Sequence, residues 1–287
     1  MRTEFWVTQL FNGITYGALL FLLGAGLTLI FGMMRIVNMT HGSHYLLGGY
    51  AALTILGRTG SYLAALLGAA AVIALLGVIE WDRFLKGLAG QELAQVLTTM
   101  GLALIFQDVA LLAWGGDPYT LKVPAALSGK FQLGPFFFPV YRLFIVVMAA
   151  AVAVILWLVV ERTRVGAMMR AAVDDPEMAR GVGIDVSRIT IAVFALGAAL
   201  AAVSGVVAGG FLGMYPGADF EILSYAFVVV IVGGMGSLRG ALVGSLLVGL
   251  LDNFGKALFP ELSYFTLFAP MAAILAIRPT GLFGRAG

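Results

Sequence analysis

ERTRVGAMMRAAVDDPEMARGVGIDVSR, residues 161–188, packs ten charged side chains into 28 positions of a chain that has only 17 basic and 15 acidic residues in all. Apolar runs flank it, Leu143 to Val160 before and Ile189 to Leu212 after. Roughly 20 apolar residues cross a bilayer, so the stretch reads as a hydrophilic island between two membrane spans, and it must face water. Its five arginines, Arg162, Arg164, Arg170, Arg180 and Arg188, put that water on the cytoplasmic side, where short Lys/Arg-rich loops are retained. The island carries its own helix signals. Asp174-Asp175-Pro176-Glu177 offers a carboxylate at the N-cap, proline at the first helical position and a further acid near the positive end of the dipole. Gly181 and Gly183 read as the stop. A short capped helix on the cytoplasmic face is a docking knob.

Working outward, the 287 residues are 61% hydrophobic and 11% charged, with a mean hydropathy of +1.01, which excludes a soluble globular domain. The reading is an all-α polytopic membrane protein of about eight or nine spans, one transmembrane domain over residues 1–287 with the island, residues 161–188, as its cytoplasmic loop. A net charge of +2 gathered in loops leaves no basic face for nucleic acid. Zero cysteines exclude a disulfide framework, a thiolate metal site and a cysteine nucleophile. The opening MRTEFWVTQLFNG shows no small-residue cleavage pattern and reads as a retained first span.

Apolar runs fall near residues 5–33, 44–57, 62–80, 93–114, 142–160, 189–213, 222–235, 240–258 and 263–277. Glu80 to Lys86, a mixed-charge stretch two spans before the island, reads as a loop on the same side. Gly57 to Ser61, residues 115–140 with their four prolines, and Pro216, Asp219 and Glu221 belong outside. The tail Arg278 to Arg285 returns inside, set off from the last span by Pro279. The seventh and eighth runs are short and read as two half-spans meeting within the bilayer.

Two segments break the apolar pattern, Asn38-Met39-Thr40-His41-Gly42 in one half and Gly233-Gly234-Met235-Gly236-Ser237-Leu238-Arg239-Gly240 in the other. Non-helical backbone inside a membrane is tolerated only against protein or a water-filled cavity, so a pair of broken segments marks a translocation path. Ordinary interhelical turns at the membrane face would leave the same pattern. His41 and His44 share a helical face with no carboxylate nearby in sequence, a metal or proton-relay pattern weaker than a histidine that simply braces the bend. Gln107, Asp108, Asp252 and Asn253 are polar positions within spans, functional candidates or interhelical hydrogen-bonding groups. Gly13xxxGly17, Gly205xxxGly209 and Gly236xxxGly240 read as packing.

No G-x-x-x-x-G-K-[ST] occurs, so the chain has no phosphate cradle of its own. No HExxH, GxSxG or acid pair offers catalysis, and no Arg-rich span offers voltage sensing. Energy for uphill transport would enter from elsewhere, through the island.

Over nearly its whole length the chain resembles the permease subunits of bacterial ABC importers for branched-chain amino acids, specifically the first of the two paired permeases. The landmarks are Asn12-Gly13, Ile36 to Gly42, Thr99-Met100-Gly101 with Gln107, Gly166 to Gly183, Gly233 to Ser237 with Gly240-Ala241, and Pro279-Thr280-Gly281. The resemblance implies a non-enzymatic inner-membrane subunit forming half of an import pathway for branched-chain or other small amino acids. It also implies a second homologous permease, two ATP-binding cassette subunits that bind ATP and magnesium, and a periplasmic binding protein; this chain carries no cofactor. Asp174, Asp175, Pro176, Glu177, Met178 and Arg180 would then couple to a cassette. Asn38, His41, Gly42, Gly233, Gly234, Gly236 and Ser237 would line the pathway or its gate. The competing readings are a self-sufficient secondary transporter or channel, and an intramembrane enzyme built on His41, His44 and Asp108.

Overall fold

The computed structural model describes residues 3–134 and 136–284, so Arg285 of the tail lies outside the described residues. Helices α1 (Thr3–Met34), α2 (Thr40–Thr59), α3 (Tyr62–Glu80), α4 (Glu92–Trp114), α5 (Val140–Arg162), α8 (Val186–Gly209), α9 (Ala218–Gly233), α10 (Leu238–Leu258) and α11 (Ser263–Ile277) correspond to the nine apolar runs. Two short helices, α6 (Arg164–Asp174) and α7 (Pro176–Gly181), form the island. Six helices are long and apolar enough to span alone: α1, α3 with its extension to Leu88, α4, α5, α8 and α10. The remaining three, α2, α9 and α11, have 20, 16 and 15 residues.

Helix α1 is the hub, packed along α10 and also touching α5, α8 and α9. Small residues allow the approach. A Cβ on Gly17 would sit 2.9 Å from the Cα of Leu246, and one on Gly13 3.1 Å from the Cα of Leu250, so the sequence pattern marks the α1–α10 seam. Helix α2 lies between α3, α4 and α8. The Met39 N–H donates to Thr99 Oγ1 at 3.2 Å and the Trp114 indole N–H to Thr54 Oγ1 at 3.0 Å; both bonds span 60 residues, so α2 and α4 run parallel. Gly205 of α8 faces the Tyr45 carbonyl oxygen of α2, which a Cβ would strike. Gly205→Val should therefore force these helices apart and destabilise the fold by about 1–3 kcal/mol, the usual cost of overpacking, read as a lower Tm in detergent. An unchanged Tm would mean the seam opens freely.

The end of the bundle opposite the island is closed by an antiparallel hairpin, β1 (Lys130–Leu133) with β2 (Phe136–Pro139). A bridge between Tyr119 and Met214 ties the α4–α5 connection to the α8–α9 connection. Arg35, Arg83, Lys86, Arg239 and Arg278 lie toward the island end with its five arginines, whereas Arg58, Lys122, Lys130, Arg142 and Lys256 lie toward the hairpin end.

Two expectations need correction. Glu80 to Lys86 is not a loop: α3 continues as a π-helical turn, Trp81–Leu85, and Glu80, Trp81 and Leu85 are buried while Asp82, Arg83 and Lys86 face outward. The eighth run is not a half-span. Helix α9 starts at Ala218, four residues earlier than hydropathy indicates, and α10 is a full-length span lying along α1. Asp219 and Glu221 both lie in the first turn of α9, at the hairpin end; Asp219 is buried and accepts a 3.2 Å hydrogen bond from Ser43, whereas Glu221 is exposed.

Candidate functional site

The first interruption is a five-residue crossing between α1 and α2, residues 35–39, so His41 and Gly42 belong to the first turn of α2 rather than to the break. Helix α1 stops because Arg35 takes φ 53°, a left-handed conformation that continues no right-handed helix, and its N–H closes on Phe31 O at 2.8 Å. Ile36 then inserts among Ile30, Trp81, Leu85 and Phe194. Asn38 starts the next helix: its Oδ1 accepts from the Thr40 N–H at 3.0 Å and lies 2.7 Å from Thr40 Oγ1.

This junction holds a buried His–Glu hydrogen bond that the sequence does not announce. Glu80, 1% exposed, places Oε2 2.8 Å from His44 Nε2 and Oε1 2.5 Å from Thr40 Oγ1. A carboxylate oxygen accepts, so the His44 Nε2–H donates to Glu80 Oε2. His41 Nε2–H donates to the Leu23 carbonyl at 2.9 Å, bracing α2 against α1, which is the bend-holding role weighed from sequence. The expectation that no carboxylate stands near the histidines is thus overturned, because a helix 36 residues away supplies one. Among the described residues no three His, Asp or Glu side chains converge as metal ligands would, and Asp108 is exposed on α4, apart from both histidines.

The second interruption is the turn between α9 and α10. Gly233 ends α9, and Ser237 caps α10 by accepting from the Gly240 N–H at 3.1 Å. The tail folds back over this turn: Leu282 and Phe283 N–H groups donate to the carbonyls of Val232 and Gly233, both at 2.9 Å. A Cβ on Gly32, near the end of α1, would lie 3.0 Å from the Cα of Gly236. The second interruption is therefore an interhelical turn packed beside the end of α1, whereas the start of α2 meets the other end of α9, where a Cβ on Gly42 would strike the Asp219 carbonyl oxygen.

In the island, the helix expected from sequence forms with Pro176 at its first position and Asp175 as its cap; Asp175 Oδ1 accepts from the N–H groups of Glu177 at 3.0 Å and Met178 at 2.9 Å. Asp174 closes α6, and Gly183, at φ 87°, turns the chain out of α7 toward α8. Arg170 of α6 donates to the Val160 carbonyl at the end of α5. Helix α6 also touches α1 and α8. Ala179 is buried, but Met178 is 65% and Val182 69% exposed, an apolar tip on the most charged part of the chain.

A cavity of about 360 Å³ opens at the hairpin end, lined by Asn12 and Tyr16 of α1, Tyr45 of α2, Arg142 of α5, Phe211, Leu212, Gly213 and Tyr215 of the α8–α9 connection, Ala218, Glu221, Ile222 and Tyr225 of α9, and Asp252, Asn253 and Lys256 of α10. None of the residues expected in the pathway lines it. Asp252 is buried and paired with Lys256 at 2.7 Å; Asn253 donates to Gln9 Oε1 at 2.7 Å, and Gln107 lies near Gly217. Arg142, the residue hydropathy passes over at the mouth of the fifth run, is the sequence signal that would have pointed here.

Residues 9–275 match the family described as the branched-chain amino acid transport system permease component. The chain is 30% identical to the high-affinity branched-chain amino acid transport system permease protein BraD of Pseudomonas aeruginosa, an alignment covering 98% of this chain and 96% of that one. It is 28% identical to the corresponding LivH protein of Escherichia coli, with 98% and 96% covered, and 27% identical to the ribose import permease protein RbsC of the same organism, with 94% and 84% covered. Among solved structures, the fold is similar to PsaBC from Streptococcus pneumoniae in complex with Fab, with a TM-score of 0.50 and 13% identity over 93% of this chain and 89% of that one.

Proposed function

The chain belongs to the branched-chain amino acid transport system permease family, and on that footing we propose how it works: one transmembrane domain over residues 1–287, sited in the bacterial inner membrane, moves its cargo when separate ATPase subunits push on α7. It is a multi-pass permease component of an ABC transport system, and its cargo is a branched-chain or other small amino acid. Catalysis resides in partners. Two cassette subunits bind ATP and magnesium, a second homologous permease completes the pathway, and a periplasmic binding protein delivers the amino acid. The distribution of basic residues supports a cytoplasmic island, with about twice as many toward the island end among the described residues.

The observation that carries this reading is the apolar tip of α7. Two large apolar side chains held in water on a capped helix need a groove to fill, and Asp174, Asp175, Pro176, Glu177, Met178 and Arg180 shape the knob that a cassette would grip. A push on α7 reaches α8 directly and α1 through α6. It arrives at the Gly233, Gly234, Gly236 and Ser237 turn through α1, whose Gly32 packs on Gly236, and at Asn38, His41 and Gly42 through the same helix, whose Leu23 carbonyl holds His41; these two sets of residues form the pathway and its gate. Cassette closure then shifts the balance between inward-open and outward-open states.

Because the chain has no cysteine, Met178→Cys gives a single label. Membrane-impermeant maleimide should reach it only from the cytoplasmic face, and bound cassettes should protect it. Labelling from outside, or uptake by the lone chain under an ion gradient, would refute the assignment and favour a secondary transporter.

A further inference from the structure

The cavity at the hairpin end contains two opposite charges that are not spent on each other or on any other ion pair among the described residues. Arg142 is held by Asn12 Oδ1 and stacks 5.2 Å from the centre of the Phe211 ring. Glu221 receives one phenol hydrogen bond on each oxygen, from Tyr215 at 2.9 Å and Tyr225 at 2.5 Å. The cavity's other carboxylate and ammonium, Asp252 and Lys256, pair with each other. A guanidinium and a carboxylate that line one cavity, each fixed by neutral neighbours, are set up to receive a ligand carrying both complementary charges. The same cavity is lined by the apolar side chains of Phe211, Leu212 and Ile222. The Tyr45 hydroxyl, buried and without a hydrogen-bond partner among the described residues, also lines the cavity.

We infer that this cavity is a zwitterion subsite within the permease itself: Arg142 receives the α-carboxylate of an amino acid, Glu221 its α-ammonium, and the Phe211–Leu212–Ile222 wall a branched aliphatic side chain. The inference rests on the permease reading above and sharpens it, because urea, neutral amides and sugars lack the charges to fill such a site, and a carboxylic acid without an amine fills only half. The cavity, at about 360 Å³, falls within the size range of small-ligand pockets. Its place at the end remote from the island makes it the first station for cargo released at the outer face.

The test uses the assembled importer in nanodiscs without its soluble binding protein, so that any selectivity measured belongs to the membrane subunits. Radiolabelled L-leucine should bind saturably. Leucinamide, which lacks the carboxylate, and 4-methylpentanoate, which lacks the amine, should each compete at least tenfold more weakly than leucine. Arg142→Gln should weaken leucine binding at least tenfold and abolish the preference over leucinamide; Glu221→Gln should do the same for the preference over 4-methylpentanoate. A merely structural role would lower binding without changing those preferences. No saturable binding, analogues that compete as well as leucine, or variants that keep wild-type preferences would each overturn the inference. Should a variant fail to assemble, the analogue competition on the unsubstituted complex decides alone. Cassette ATPase measured in the same discs separates the outcomes: normal ATPase without a leucine site sinks only this inference, whereas a chain that assembles with no cassette sinks the reading beneath it.

Discussion

Replacing Pro176 to Arg180 with a Gly/Ser linker should reduce both cassette co-purification and transport-coupled ATPase to background while leaving the transmembrane bundle folded. Isolated helices this short do not hold themselves together, so α7 exists because its local devices agree. Asp175 satisfies two of its free N–H groups, Pro176 presets the first turn, and Ala179 anchors the inner face. A flexible linker removes all three and, with Met178, half of the apolar tip. Burying a methionine side chain contributes about 1.5–3 kcal/mol, so losing it alone corresponds to roughly a 10- to 100-fold weaker grip, and losing the helix geometry adds to that. The bundle should keep its Tm, because α7 makes few contacts beyond α6 and α8. Co-purification and ATPase at wild-type levels would mean that the cassette grips elsewhere.

That knob was readable from sequence because its determinants are local. A cap, a proline and a stopping glycine lie within ten residues, and each acts on its own neighbours. The nine apolar runs were readable for a related reason, since hydropathy over about 20 residues reports the medium and not the partner. The Glu80 to Lys86 stretch misleads for the opposite reason. Averaged over the window, four charges look like a loop, yet on a helix they divide, with Glu80 turned in among Trp81 and Leu85 and the other three turned out. What stabilises Glu80 is His44, brought there by the antiparallel course of α2 and α3, and nothing in either segment names the other. The cavity is harder still to read: it draws on five helices, and its distinguishing feature, two unpaired charges of opposite sign, exists only once the remaining charges have found partners. The glycines at 233, 234 and 236 were visible as a break. That they form an end turn under the folded-back tail, and not a mid-membrane kink, depends on where α9 begins.

Glu80→Leu should be the most damaging single change within the bundle. It strands the His44 Nε2–H in an interior where both residues are essentially fully buried, and it takes an acceptor from Thr40 at the point where α2 restarts. Leaving a buried donor without its acceptor costs about 1–3 kcal/mol, and Thr40 loses its Glu80 partner as well, a large share of the stability of a typical domain, so yield and Tm should both fall. Glu80→Gln separates structure from function. A glutamine can accept the His44 N–H through its carbonyl and donate its amide to Thr40 Oγ1, which then donates to Asn38, so every partner is satisfied and stability should change by less than about 1.5 kcal/mol. Combining Glu80→Leu with His44→Leu should recover part of the loss, because neither polar group is then left alone, and the non-additivity measures the coupling between α2 and α3. Wild-type Tm for Glu80→Leu would show that the pair does not hold the junction. Full stability with lost uptake for Glu80→Gln would show that the junction needs the carboxyl group for transport itself, which would make this buried pair part of the gate and not only its hinge pin.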